Sequence, residues 1–88
     1  MSESTNMLLA VSRAGHDRDT VYVVVDSDPE YVWLVDGRRR LLANPKKKKR
    51  KHVQIIRHLP DGLAEQIQAV TLDAHVRKII SAYAGNRK

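Results

Sequence analysis

The residues of this chain best suited to chemistry form a run of six consecutive bases at positions 46–51. Adjacent like charges repel one another and cost stability unless a polyanion neutralises them. Polyphosphate backbones suit that task, because each neutralised phosphate releases condensed counterions. The alternative is a solubilising loop or tail. The run lies mid-chain between two apolar segments, which favours a loop held at both ends that contacts nucleic-acid phosphates.

The distribution of charge sets this basic segment apart from the rest of the chain. The 88-residue protein has a formal net charge of +6. Residues 37–58 contain ten bases and no acid, whereas residues 1–36 contain seven acids and two bases. Within this segment Arg38, Arg39 and Arg40 could grip phosphate or stack on bases through their planar guanidinium groups. The alternative, in which they pair with nearby aspartates, stays open at this point.

The residue pattern gives no support for catalysis or metal binding. The chain has no cysteine, which excludes disulfides, thiolate-ligated metals and a thiol nucleophile. There is no nucleophile elbow and no Walker-type loop. The four histidines match no compact ligand spacing; they are His16, His52, His58 and His75. We therefore predict a non-enzyme with no metal, no cofactor and no small-molecule substrate.

Two further sets of residues, acidic and aromatic, favour a structural role over a functional one, and a third feature concerns localisation. Asp17 and Asp19 could resemble a magnesium-binding pair, but an acidic turn is the simpler interpretation. Trp33, Tyr31 and Tyr22 could stack on nucleic-acid bases. In a chain without Phe, however, at least one aromatic residue is expected in the core, and we predict Trp33. The start of the chain lacks the pattern of a signal peptide, and no window approaches the roughly 20 apolar residues of a membrane span. We therefore expect a cytoplasmic protein with no membrane partner.

The elements that must position these residues are five short strands followed by one or two helices. Runs rich in β-branched residues and bounded by turn signals predict strands at 7–11, 20–26, 31–35, 38–43 and 52–57. Asp36-Gly37 is a hairpin signal between the third and fourth strands. Asn44-Pro45 then opens a basic loop that extends to residue 52.

Beyond residue 60 the apolar period changes from that of a strand to that of a helix. The spacing of Leu63, Ile67 and Val70 predicts a short helix after Asp61. A second helix is predicted from its N-cap, Thr71, and carries an apolar stripe formed by Leu72, Val76, Ile79, Ile80 and Tyr83. The fold class is therefore mainly β: a small, partly open barrel of about five strands, covered by C-terminal helices.

One stretch of the chain resembles a known motif. Residues 12–17, Ser-Arg-Ala-Gly-His-Asp, followed by the apolar strand at 21–25, resemble the KOW motif. The basic stretch that begins at Asn44-Pro45 strengthens the match. Together these features are similar to the small bacterial KOW-domain RNA-binding proteins, relatives of KOW-containing large-subunit ribosomal proteins.

The resemblance implies an SH3-like barrel that binds structured RNA through its loops. Residues 7–58 would form the barrel, 59–85 a helical extension of the same domain, and 1–6 and 86–88 a flexible lead and tail. Gly15 would be the fixed glycine of the first loop. The predicted RNA contacts lie in that loop, the arginine segment and the basic loop: Arg13, Gly15, His16, Arg38, Arg39, Arg40, Asn44, Lys46, Lys47, Lys48, Lys49, Arg50, Lys51 and His52.

The expected function is ribosome-associated RNA binding, with ribosomal RNA of the large subunit as the partner. The alternative is a protein-interaction module of a transcription or translation complex, whose partner would contact the acidic N-terminal half or the C-terminal helix. A third interpretation is a DNA-binding or nuclear protein, because residues 45–51 also resemble a nuclear import signal. We take that similarity as coincidental.

Overall fold

The apolar runs of the first half of the chain form neighbouring strands of one sheet. The computed structural model describes residues 7–60 and 62–85. Its strands are β1 (Leu8–Ser12), β2 (Val21–Ser27), β3 (Tyr31–Val35), β4 (Lys46–Lys49) and β5 (Val53–Ile56). A 3-10 helix, Arg50–His52, joins the last two strands, and the helices α1 (Leu63–Gln68) and α2 (Asp73–Gly85) follow.

All the strand pairings in this sheet are antiparallel, in the order β4-β3-β2-β1-β5. β1 lies between β2 and β5, so Leu9 is opposite both Val23 and Ile56. The prediction of a mainly β fold with five strands before the helices is confirmed.

Along the central strands β1 and β2 both faces of the sheet are largely buried, which explains why these strands read as almost continuous apolar runs. On one face Leu9, Val23 and Val35 pack against the helical region. Its buried residues are Leu63 and Ile67 of α1, Val70 of the connection between the helices, and Val76 and Ile79 of α2. Most of the predicted helical stripes are therefore in the core. Ile80 and Tyr83 are only partly buried against it, and Leu72 is 58% exposed.

The opposite face of the sheet holds a second core cluster, formed by Ala10, Tyr22, Val24, Val32 and Leu34. No helical residue belongs to this cluster, yet none of its members is more than 4% exposed. The sheet must therefore curve over its own face to exclude water, as a small, partly open barrel does. Tyr22 is the aromatic residue of this core; Trp33 is outside both clusters, so the prediction that Trp33 is a core residue is wrong.

The fourth strand lies later in the chain than the sequence predicts. Residues 37–44 form a loop, and residues 46–49 of the predicted basic loop are β4, which pairs with β3. The Asp36 carboxylate accepts the backbone N–H groups of the three arginines that follow it, at 2.8–2.9 Å. These donors are therefore satisfied locally and cannot form a strand ladder.

The second helix also begins later than predicted. α2 starts at Asp73, so Thr71 is not its N-cap. Instead the His75 imidazole Nδ1 accepts the backbone N–H groups of Thr71 and Leu72 from inside the first turn. The predicted lead at 1–6, the tail at 86–88 and Asp61 lie outside the described residues. Within the described ranges no helix is long and apolar enough to cross a membrane.

Candidate nucleic-acid interface

The strand geometry of β4 divides the lysine run into two sets. Successive side chains of a strand point to opposite faces of the sheet. Lys46 and Lys48 are opposite Leu34 and Val32, which are core residues. The other two lysines are opposite Trp33 and Tyr31. The basic segment therefore presents two different faces, whereas the sequence suggests one continuous basic loop.

The inward set, Lys46 and Lys48, is held by a single carboxylate, that of Asp17. Lys46 Nζ lies 2.6 Å from Asp17 Oδ2, and Lys48 Nζ lies 2.8 Å from Asp17 Oδ1. The exposed fractions of these side chains are 28% for Lys46, 12% for Lys48 and 13% for Asp17. These lysines therefore serve the fold, and their charge is already neutralised in part within the molecule.

Two hydroxyl groups complete the shell around the Asp17 carboxylate. Ser12 Oγ donates to Oδ1 and Tyr22 Oη donates to Oδ2, each at 2.8 Å, so each carboxylate oxygen accepts two hydrogen bonds. Burial alone would raise the pKa of Asp17, but the hydrogen bonds from both lysines, Ser12 and Tyr22 outweigh it and hold that pKa well below its ordinary value. Burial, followed by the bond to the Asp17 carboxylate, raises the pKa of Tyr22.

The loop between β1 and β2, which carries the KOW-like sequence, is shaped to deliver Asp17 to this position. Gly15 and Asp19 both have a positive φ, of 87° and 72°. The Thr20 N–H donates to the Asp17 carbonyl at 2.9 Å, and Lys48 Nζ also donates to the Ala14 carbonyl at 2.9 Å. The loop is thus fastened to β4, and the positive φ at Gly15 is one that glycine adopts without steric cost.

The three consecutive arginines protrude from the loop that follows β3. Asp36 binds their backbone N–H groups, and within residues 7–60 and 62–85 their guanidinium groups form no ion pair. Burial would raise the pKa of Asp36, but these backbone hydrogen bonds lower it overall. The arginine segment therefore keeps its charged groups exposed, and this answers the question of aspartate pairing that the sequence left open.

The structure brings part of the predicted contact set together. A cleft of about 350 Å³ lies between the first loop and the arginine loop, lined in part by His16, Arg39, Arg40 and Lys46. Arg13 is joined to the 3-10 helix by a 2.7 Å bond from its backbone N–H to the His52 carbonyl.

The remaining predicted residues lie at the surface or close to it. Arg38 and Asn44 are exposed on the arginine loop but do not line the cleft. Lys47 and Lys49 are exposed on the outer face of β4. Arg50 and Lys51 are exposed on the 3-10 helix, where Arg50 contacts the β2–β3 turn through the Asp28 carbonyl.

Two aromatic residues accompany the outward lysines and were not among the predicted contacts. Tyr31 and Trp33 are partly exposed on the outer face of β3. Lys47 Nζ lies 4.2 Å from the centroid of the Tyr31 ring and 5.8 Å from that of Trp33. These distances are those of cation–π contacts. We call Tyr31, Trp33, Lys47 and Lys49 the outer strip.

Neither the strip nor the Asp17 site resembles a metal centre. In the part of the chain that the structure describes, no three His, Asp or Glu residues are grouped so as to hold a metal ion. Comparison with known proteins finds no family model and no curated protein that matches the chain. The chemical groups that the site offers to a ligand are cations and aromatic rings.

Proposed function

We propose that this protein binds structured RNA through its exposed cations, as the resemblance to KOW-domain proteins implies. Three neighbouring segments supply these cations: the first loop, the arginine loop and the β4/3-10 segment. The bases they provide are Arg13, Arg38, Arg39, Arg40, Lys47, Lys49, Arg50 and Lys51. Ribosomal RNA of the large subunit is the partner that the resemblance favours, and no catalytic step is part of the proposal.

The observation that carries the proposal is the state of these cations. Among the described residues the only salt bridges are those of Asp17 with Lys46 and Lys48, and the eight exposed bases form none. Unpaired cations gathered on a few loops create a positive field that attracts a polyanion. RNA phosphates would neutralise this field and release counterions, which supplies affinity without sequence reading.

The alternative of a protein-interaction module has less support. It requires either the acidic N-terminal half or the helical stripe as a docking surface. Val76 and Ile79 of that stripe are buried against the sheet, so a protein partner would have to use other residues of α2.

The test is a salt titration of binding to a labelled RNA hairpin, followed by fluorescence anisotropy. If about six bases contact phosphate, the affinity should fall about a thousandfold between 50 and 200 mM salt. The variant K47Q/K49Q removes two exposed charges and should lower the slope of log affinity against log salt by about one to two units. A DNA duplex of equal charge tests whether the shape of RNA matters.

The matched control is K46Q/K48Q, which removes the same charge from the inward face of the same strand. Because these lysines already pair with Asp17, this variant should keep a slope close to that of the parent protein, measured at a temperature where circular dichroism shows it folded. A hairpin affinity that does not respond to salt would contradict the proposal. Equal effects of the two double variants would contradict the division of the lysines.

A further inference from the structure

The outer strip combines groups that phosphate binding alone does not require. Tyr31 and Trp33 are neighbours on one face of β3, outside both core clusters and partly exposed. They are two of only four aromatic residues in the chain, which has one Trp and three Tyr. The two rings give this face a flat stacking surface, which positive charge alone does not supply.

The charges on the two sides of the rings are opposite in sign. Lys47, which is opposite Trp33, and Lys49, which is opposite Tyr31, lie on the β4 side. Asp26 is the cross-strand neighbour of Trp33 on the β2 side. A ligand lying on the rings would therefore have its negative groups drawn towards β4 and repelled from β2.

We infer that the outer strip is a subsite for unpaired RNA nucleotides, whose bases stack on Tyr31 and Trp33 while their phosphates contact Lys47 and Lys49. This inference rests on the proposed function and specifies its ligand: single-stranded nucleotides next to the structured RNA. Aromatic rings stack on any base because every base presents a π-face. The subsite is therefore expected to accept different bases.

The ammonium group of Lys47 covers part of the Tyr31 ring when no RNA is bound. This ammonium has no ion-pair or hydrogen-bond partner within the described ranges. A cation–π contact at an exposed site is weaker than the stack of a base on an aromatic ring. An incoming base can therefore displace the ammonium from the ring, and the lysine can then turn to the phosphate of the same nucleotide.

The only tryptophan of the chain lies in this strip, so its fluorescence reports on the subsite directly. The experiment titrates the full chain with a single-stranded oligouridylate and, in parallel, with inorganic polyphosphate of similar charge. The oligouridylate should quench the Trp33 emission at saturation, because its bases stack on the ring, whereas polyphosphate should bind without comparable quenching. Equal quenching by the two polyanions would overturn the inference, because the quenching would then depend on charge alone.

Anisotropy with labelled oligouridylate tests the residues individually. Replacement of a stacking ring costs about tenfold in affinity, so Tyr31→Leu and Trp33→Leu should each bind about tenfold more weakly. Tyr31→Phe and Trp33→Phe keep a ring and should bind much as the parent protein does, which separates stacking from a loss of folding. Leu72→Ala, at an exposed apolar position outside the strip, is the control.

The outcomes separate the inference from the proposed function. If the RNA hairpin binds with the expected salt dependence but Tyr31→Leu and Trp33→Leu have no effect on oligouridylate binding, the subsite is refuted and the proposed function stands. If neither RNA binds at any salt concentration, both are refuted.

Discussion

The two faces of β4 show how one lysine run can perform two tasks. Lys46 and Lys48 face the β1–β2 loop, where their ammonium groups share the carboxylate of Asp17 at 2.6 and 2.8 Å. Lys47 and Lys49 face outwards beside Tyr31 and Trp33, with no ion pair among the described residues. The four side chains are chemically identical, and only the alternation of the strand separates them.

The number of basic residues in a segment can therefore exceed the number of charges that are available to a ligand. The inward lysines connect the edge strand to the first loop, so their removal should affect the stability of the fold. The outward lysines are solvated, so their removal should affect binding.

Asp17→Asn removes the charge that holds the inward face together. Two partly buried ammonium groups would lose their counter-ion, and Ser12 and Tyr22 would each lose a charged acceptor. Loss of such a network should lower the free energy of unfolding by about 2–3 kcal/mol. Urea denaturation followed by circular dichroism measures this change. Asp19→Asn in the same loop is the control, because Asp19 is exposed and Asn tolerates its positive φ.

Lowering the pH should remove the part of the unfolding free energy that depends on the charge of Asp17. The pKa of Asp17 in the folded protein lies below its ordinary value of about 3.9. Its stabilising effect is therefore fully present above pH 5 and is lost as the pH falls below about 4 towards the folded-state pKa. The gap in unfolding free energy between the parent protein and Asp17→Asn should narrow over this range. A constant gap between pH 6 and pH 2.5 would mean that the charge of Asp17 is not what stabilises the loop.

The smallest expected change in stability separates Lys48 from its neighbour Lys49. Lys48→Gln removes a side chain that donates to both Asp17 and the Ala14 carbonyl, and it should cost about 1–2 kcal/mol of unfolding free energy. Lys49→Gln alters an exposed lysine and should change that free energy by less than about 0.5 kcal/mol. Thermal unfolding of the two variants, measured side by side, gives the difference. Equal destabilisation would show that the two faces do not differ in stability.

The sequence predicts the class of fold because its signals are local. Runs of β-branched residues identify β1, β2, β3 and β5 to within two residues at each end, and the helical period identifies the buried faces of both helices. The fourth strand could not be found in this way. Four consecutive lysines carry no apolar alternation, and β4 exists because Lys46 to Lys49 pair with β3.

The sequence predicts the cations of the candidate site but neither its aromatic residues nor its arrangement. The exposed arginines and lysines are evident from the charge distribution, whereas the pairing of Lys48 with Asp17 joins residues 31 positions apart and leaves no mark in the sequence. The absence of Phe predicts an aromatic residue in the core, but it does not distinguish Trp33 from Tyr22, which is the one buried there. The position of Trp33 opposite Lys47 follows only from the register of β3 and β4.

The position of β4 in the sheet also bears on how this protein meets other copies of itself. β4 has one strand neighbour, β3, and so forms one edge of the sheet. The unpaired backbone groups of an edge strand can template the addition of a strand from another molecule, the first step of aggregation. In this chain every residue of that strand is a lysine, so an approaching second copy would bring like charges together along its whole length. The run thereby helps to keep the protein dispersed at high concentration.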